Sequence, residues 1–300
     1  MPAVDQAQSV TPDTKPKDSE LDIYGLSHPG LARENNEDHF LICSLRRQID
    51  VHLTNLPQLD WPTAKGERLA FLAMVADGVG GRAAGEEASK LAVKRVTQYV
   101  SHSLNCFYTH DPDDDRAFTE TLQQAALETH ARIQSQAAVD RSGMATTLTL
   151  WLGLWPHGYL LQVGDSRCYQ LRDGVLTQLS RDQTMAAELL RLGVIKATDP
   201  GATKHAHVLT SALGGRDATP LVTSMEQRWG DVGLLCSDGL TRHVSDERIR
   251  EQLLQMTSAK QACEALLQDA LDGGGSDNVT ILIGRTTRQG EERSDSLGRG

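Results

Sequence analysis

The feature that most constrains the fold is a continuous apolar run, Leu69–Ala76, that stops abruptly at Asp77-Gly78. An uninterrupted apolar run of this length, bounded by turn residues, predicts a strand buried on both faces. A second run of this kind, Val232–Cys236, is followed shortly by Asp238-Gly239. We therefore expect core strands with acidic residues at their ends.

The remaining patterns predict an α+β fold. Two long segments with helical apolar spacing are expected to pack side by side: Ala83–Leu104 and Phe118–Ala138. Three short apolar segments are interpreted as an antiparallel meander: Thr146–Trp155, Gly158–Val163 and Cys168–Leu171. Asp173-Gly174 predicts a hairpin turn. Two helices and a last strand complete the reading: Glu247–Met256, Ala259–Leu271 and Val279–Ile283. Blocks of strands alternating with blocks of helices indicate a sandwich of sheets covered by helices.

One folded domain is predicted over residues 21–285. Residues 1–20 and 286–300 are polar and are expected to be disordered. Two irregular stretches interrupt the pattern, Arg46–Arg68 and Thr198–Gly215. The second is hypothesised to be a mobile flap, although surface variation explains it equally well.

Charge and cysteine content narrow the class of protein. The net charge of −10 argues against nucleic acid as the main partner. The 5 cysteines include no C-x-x-C pair, which indicates a reducing cytoplasm rather than a disulfide framework. Neither a secretory signal nor a membrane-spanning run is visible, so a cytoplasmic protein away from the membrane is expected.

Acidic residues recur at the ends of the predicted strands. Asp77 and Asp238 each follow one, Asp277 precedes Val279–Ile283, and Glu37-Asp38 precede the apolar segment Phe40–Cys43. A single Asp-Gly after a strand is ordinarily only a turn. If several such ends converge, the carboxylates repel each other, and a divalent cation removes that cost. An all-oxygen ligand set suits Mg²⁺ or Mn²⁺ rather than Zn²⁺.

Eight stretches, in order, resemble the metal-dependent protein phosphatase family (protein phosphatase 2C type), particularly its compact bacterial members. They are Arg33–Asp38, Asp77–Gly81, Met144–Thr147, Gly164–Arg167, Leu179–Thr184, Leu209–Gly214, Cys236–Thr241 and Ser276–Thr280. The resemblance covers nearly all of residues 21–285. It implies a four-layer α-β-β-α sandwich, with two antiparallel sheets flanked by helices and a dinuclear metal site at one edge.

The resemblance also implies roles for individual residues. Asp77 would bridge two Mn²⁺ or Mg²⁺ ions, and Asp238 and Asp277 would complete the ligands of one of them. The other ion would be held by Glu37 and the carbonyl of Gly78. Asp38 would orient metal-bound water, and Arg33 would bind the substrate phosphate through its guanidinium group. Asn278 would lie beside the site.

The chain departs from the family pattern in places. Arg82 stands where bacterial members have a histidine, and Arg242 stands where an acid often helps to hold a third metal ion. Asp140 is a candidate ligand for that third ion. No general acid is identified among the conceivable histidines, which are His39, His205, His207 and His243.

The expected activity is hydrolysis of phosphoserine and phosphothreonine in proteins by metal-activated water, opposing a bacterial Ser/Thr kinase. A monomer is expected. Three alternatives remain open at this point. They are a binding module that has lost the chemistry, another two-metal hydrolase such as a nuclease or nucleotide phosphatase, and a sibling branch that acts on an anti-sigma-factor antagonist.

Overall fold

The computed structural model describes residues 14–46, 49–57, 68–80, 83–107, 115–140, 143–196, 198–199 and 205–287. Within these ranges two antiparallel sheets stack face to face, and helices cover the outer face of each. The predicted four-layer α-β-β-α sandwich is confirmed.

The first sheet has five strands in the order β1-β13-β12-β9-β10. Their bounds are β1 Leu21–His28, β9 Arg167–Arg172, β10 Val175–Gln178, β12 Val232–Cys236 and β13 Val279–Thr286. The second sheet has six strands in the order β11-β8-β7-β4-β2-β3. Their bounds are β2 His39–Leu45, β3 Ile49–Thr54, β4 Ala70–Ala76, β7 Leu148–Leu154, β8 His157–Val163 and β11 Leu221–Glu226. A short ladder joins β5 Gly78–Val79 to β6 Ala145–Thr146.

The helices fall into two groups. The six-stranded sheet is covered by α1 Ala83–Phe107 and α2 Asp115–Asp140, whose apolar faces share one core with β2, β4, β7 and β8. The five-stranded sheet is covered by α4 Asp238–Thr241, α5 Asp246–Leu254 and α6 Ala259–Asp272. The short helix α3 Met185–Arg191 begins at Thr184, whose hydroxyl accepts a hydrogen bond from the Ala187 amide.

A third apolar layer lies between the sheets. Phe40, Ile42 and Val75 from one sheet meet Leu235 and Leu282 from the other. These strands therefore bury both faces, as the unbroken apolar runs predict: every β4 residue except Phe71 is fully buried. Their ends are held in fixed positions at the rim of the sandwich.

One part of the predicted topology is wrong. β7 and β8 form a hairpin, but β9 leaves that sheet and pairs with β12 and β10 in the other. The crossing takes place at Gly164, whose φ of 106° belongs to the left-handed region that favours glycine. The predicted hairpin turn is confirmed, because Asp173 and Gly174 both have positive φ and Arg172 pairs with Val175.

The described residues begin within the predicted polar N-terminal segment. There Asp18–Glu20 forms a helical turn, and Asp18 pairs with Arg46. The domain bounds 21–285 stay a prediction. Residues 1–13 and 288–300 lie outside the described residues. Part of the irregular Arg46–Arg68 stretch forms the edge strand β3, and 47–48 and 58–67 lie outside the description. Over the ranges described, no helix is both long and apolar enough to cross a bilayer.

Candidate active site

The predicted acidic residues meet at one rim of the sandwich. Asp77 follows the end of β4, which pairs with the start of β2, so Glu37 and Asp38 lie beside it. In the facing sheet Asp238 follows β12 and Asp277 lies two residues before β13. Antiparallel pairing within each sheet therefore brings acids from both sheets to a single cluster.

The electrostatics of these acids indicate mutual repulsion. Burial, followed by the negative charges of Asp38 and Asp238, raises the pKa of Asp77 well above its usual range. Burial raises the pKa of Asp38 to about 7, although hydroxyl groups of Thr280 and Ser237 oppose the shift. Burial and the charge of Asp277 also raise the pKa of Asp238, although Arg242 lowers it. The site carries negative charge that the protein compensates only partly.

Asp77 is held by its main chain. Its amide donates to Thr147 Oγ1 over 3.0 Å, and its carbonyl accepts from the Thr147 amide and the Thr146 hydroxyl. The Thr147 hydroxyl also bonds to Ser166, at 2.8 Å. The two threonines of the Met144–Thr147 stretch therefore fix the position of Asp77 while leaving its carboxylate free to act.

Asn278 ties together two loops. Its Oδ1 accepts from the Glu37 amide over 2.8 Å, and its Nδ2 donates to the carbonyls of Pro29 and Asn35. All side-chain donors and its acceptor are thereby used within the protein. Asn278 therefore anchors the loop that carries Glu37, and its role beside a metal site stays a prediction.

Glycines allow Glu37 to approach the start of α1. A Cβ at Gly85 would lie 2.2 Å from Glu37 Oε2. A Cβ at Gly78 would lie 2.7 Å from the Glu37 carbonyl and 2.5 Å from that of Gly85. The contacts at Gly78 are with main-chain atoms, so glycine is required there, whereas a Cβ at Gly85 would force the Glu37 carboxylate to move.

Asp38 supplies the clearest test of whether the site suits hydrated cations. Its Oδ2 accepts from Thr280 Oγ1 over 2.7 Å, but its Oδ1 is buried and has no hydrogen-bond partner. A buried carboxylate oxygen without a partner is costly and calls for a ligand or water. With Asp77, Asp238, Asp277 and Glu37 nearby, the donors are all oxygen atoms, as Mn²⁺ and Mg²⁺ require.

Two arginines form ion pairs with acidic residues of the cluster. Arg33 pairs with Asp277 through Nε at 2.8 Å and Nη2 at 2.9 Å. Arg242 donates through Nη1 to Asp277 over 2.7 Å and through Nη2 to Asp238. Within the described part of the chain, no three His, Cys, Asp or Glu side chains are gathered in a metal-binding arrangement.

Two charged residues beside the acids, Asp165 and Arg242, have no role in the sequence analysis. Asp165 is buried, and burial with the charge of Asp238 raises its pKa to about 7. Its motif, Gly164–Arg167, marked its importance but gave it no role. Arg242 was noted only as a departure from the family pattern, and its contacts with Asp238 and Asp277 were not foreseen.

The histidines that the sequence leaves open as general acids differ in their surroundings. His39 bonds to Ser89 at 2.9 Å, and burial lowers its pKa to about 4. His243 Nε2 accepts from the Ser276 amide, which steadies the loop before Asp277. His207, on the stretch predicted as a flap, is close enough for its charge to lower the pKa of Asp238. Of that stretch, 197 and 200–204 lie outside the description.

Two predictions fall on residues whose side chains are not described. Asp140 is the last residue of α2, but its side chain is not described, so its contact with the site stays a prediction. Gly81 and Arg82 are outside the described ranges.

The described cysteines are free and buried: Cys43, Cys168, Cys236 and Cys263. Burial raises the pKa of each of these thiols, so none resembles an activated nucleophile.

Comparison with known proteins agrees with this geometry. Residues 56–272 match the family model described as protein phosphatase 2C. The chain is 37% identical over 216 residues to serine/threonine protein phosphatase PstP of Mycobacterium tuberculosis, covering 71% of this chain but only 40% of that protein. It is 31% identical over 213 residues to serine/threonine phosphatase stp of Listeria monocytogenes, covering 71% of this chain and 83% of that one.

A solved structure extends the comparison to metal ions. The catalytic domain of PstP in complex with two manganese ions is 33% identical to this chain, with a TM-score of 0.67. The match covers 89% of this chain and 99% of that domain. The manganese ions are those of the neighbour, and they show that this fold can hold two.

Proposed function

The chain belongs to the protein phosphatase 2C family, and on this basis we propose that it hydrolyses phosphoserine and phosphothreonine in proteins. The observation that carries the proposal is the cluster of carboxylates at one rim, in which Asp38 Oδ1 is buried without a partner. Such a cluster is unfavourable alone and becomes favourable with divalent cations, the cofactors of metal-assisted hydrolysis.

The proposed cofactors are two Mn²⁺ or Mg²⁺ ions. Asp77 would contact both, with Asp238 and Asp277 holding one and Glu37 with the Gly78 carbonyl holding the other. The closeness of Glu37 and Gly78 supports the second set. A third, weaker ion at Asp140 is part of the proposal, as the sequence suggests. Bound cations supply a water of lowered pKa and offset charge on the phosphate.

Side chains of the protein would orient the attacking water and the substrate phosphate. Asp38 Oδ1 can accept a hydrogen bond from the attacking water, because it is the oxygen left without a partner. Arg33 offers a planar fork of donors to phosphate oxygens. Its side chain is 50% exposed, so a substrate can reach it. In-line attack at phosphorus requires no covalent enzyme intermediate, in keeping with the buried thiols.

The physiological setting is proposed on the same basis. The substrates are phosphorylated proteins, including a Ser/Thr kinase and its targets, and the role is in signal transduction. We propose a single catalytic domain over 21–285, acting as a cytoplasmic monomer without nucleic acid or membrane as a partner. The curated mycobacterial relative is much longer than its match here, so its other properties are not carried over.

The test is phosphate release from a phosphothreonine peptide in EDTA, Mg²⁺ or Mn²⁺, with the wild type, Asp77→Asn and Asp238→Asn. Metal-dependent release that is lost in both variants supports the proposal. A folded wild-type protein that binds the peptide but releases no phosphate with any metal would favour the alternative of a binding module.

A further inference from the structure

Asp277 is engaged by two guanidinium groups and one main-chain amide. Its Oδ1 forms an ion pair with Arg33 Nε at 2.8 Å and accepts a hydrogen bond from the Asn278 amide at 3.0 Å. Its Oδ2 accepts from Arg33 Nη2 at 2.9 Å and from Arg242 Nη1 at 2.7 Å. Both carboxylate oxygens of Asp277 therefore face a guanidinium, and a cation that binds Asp277 competes with Arg33 and Arg242 for them.

Arg242 is the more tightly engaged of the two arginines. It follows α4 by one residue, four positions after Asp238, so one helical turn directs it back towards Asp238 and Asp277. Its guanidinium bonds to both carboxylates, whereas Arg33 bonds only to Asp277 among the acids of the cluster. Displacement by cations at Asp238 and Asp277 therefore frees Arg242 in particular.

The two guanidinium groups lie side by side on the outer side of the acids. Both donate to the same oxygen of Asp277. Arg33 and Arg242 are 50% and 26% exposed, and the carboxylates of Asp238 and Asp277 beneath them are 13% and 14% exposed. A substrate approaching the acids from solvent meets these cations first. A phosphate dianion offers several oxygen atoms, and pairs of them can accept two hydrogen bonds from each guanidinium fork.

We propose that Arg242 and Arg33 together form a two-guanidinium clamp for the substrate phosphate. Asp238 and Asp277 hold the guanidinium groups until divalent cations bind these carboxylates. The inference rests on the proposed function and extends it to a residue where the family often has an acid. Under this proposal, cation binding and phosphate binding strengthen each other, because a cation that displaces Arg242 frees a guanidinium group to donate hydrogen bonds to phosphate.

The experiment compares wild type, Arg242→Gln and Arg242→Lys by two methods. Calorimetry measures Mn²⁺ binding with and without inorganic phosphate. Steady-state hydrolysis of a phosphothreonine peptide at saturating Mn²⁺ measures KM, kcat and the Ki of inorganic phosphate. Arg248→Gln is the matched control, because Arg248 makes a similar two-bond pair with Asp269 on α6, away from the acids. A thermal melt verifies that each variant is folded.

Arg242→Gln is expected to raise KM and the phosphate Ki about tenfold or more, since it removes charged hydrogen bonds to phosphate. Mn²⁺ binding without phosphate should tighten, and its enhancement by phosphate should fall. Arg242→Lys should recover part of the loss, and Arg248→Gln should match wild type.

Two outcomes would overturn the clamp. Tighter Mn²⁺ binding with unchanged KM and Ki would make Arg242 only a competitor of the metal ion. No change in any quantity would make it only an ion-pair partner of α4. If wild type hydrolyses no phosphopeptide, the proposed function fails instead, and the calorimetric coupling between Mn²⁺ and phosphate still decides the role of Arg242.

Discussion

Gly85→Ala should separate the function of this protein from its stability. Gly85 lies in the first turn of α1, where alanine is normally the better residue. Its added Cβ would, however, lie 2.2 Å from Glu37 Oε2 and 3.0 Å from the Gly78 carbonyl carbon. The substitution therefore acts on the two groups proposed to hold one cation.

The magnitude follows from these distances. Ordinary contact is about 3.5 Å, so the carboxylate of Glu37 must move by roughly 1 Å. Misplacement on that scale costs about 100-fold in rate when reacting groups are positioned this closely. For stability, crowding costs about 1–3 kcal/mol, and replacing a helical glycine returns about 1 kcal/mol. We therefore expect a large loss of activity with a small change in the free energy of unfolding.

The assay pairs Mn²⁺ calorimetry with phosphopeptide hydrolysis and urea denaturation. Gly233→Ala in β12 is the matched control, because the nearest atom to its added Cβ is 3.8 Å away. The control should keep wild-type binding and activity. Wild-type Mn²⁺ affinity and rate in Gly85→Ala would refute the reasoning that Glu37 and Gly78 serve one cation.

Four further predictions follow from individual contacts. Thr147→Val leaves the Asp77 amide without its acceptor and should reduce the free energy of unfolding by about 1–3 kcal/mol in a urea titration. Asn278→Ala removes three hydrogen bonds around the Glu37 loop and should weaken Mn²⁺ binding about tenfold by calorimetry, whereas unchanged affinity would contradict an anchoring role. In the native protein no more than one thiol should react with a disulfide reagent, because four of the five cysteines are buried with raised pKa values, and rapid reaction of several would disagree. Burial opposes ionisation of Asp269, but its hydrogen bonds to Arg248 and Gln252 outweigh burial and lower its pKa. The ionised carboxylate should therefore stabilise the fold by about 1 kcal/mol above pH 4, and this stabilisation should be lost as the pH falls through the folded pKa. The test compares the free energy of unfolding of wild type and Asp269→Asn at pH 7 and pH 3.

The parts of the fold that the sequence predicts are those set by local pattern. β4 and β12 are unbroken apolar runs, and α1 and α2 repeat apolar residues at helical spacing, so their types follow from neighbouring residues alone. The edge strands β3 and β11 were missed because they are half exposed and mix polar with apolar residues. The transfer of β9 to the other sheet depends on pairing with β12, more than 60 residues later, which no local pattern encodes.

In the candidate site, too, the sequence identifies residues marked by local pattern and misses those that depend on long-range contacts. Asp77, Asp238, Asp277 and Glu37 were identified because each lies at the end of a recognisable strand. Asp165 and Arg242 were not assigned roles, because their importance comes from side-chain direction: burial beside Asp238 for one and a helical turn back to two carboxylates for the other. A sequence shows where an acid stands along the chain but not which cation compensates it.

The two-cation site is tested most directly by anomalous diffraction at the manganese edge from a crystal of the wild-type protein grown with Mn²⁺. We expect two peaks that both contact Asp77, one of them also near Asp238 and Asp277 and the other near Glu37. Peaks elsewhere, or no peak beside Asp77 at a Mn²⁺ concentration that supports phosphopeptide hydrolysis, would contradict this expectation.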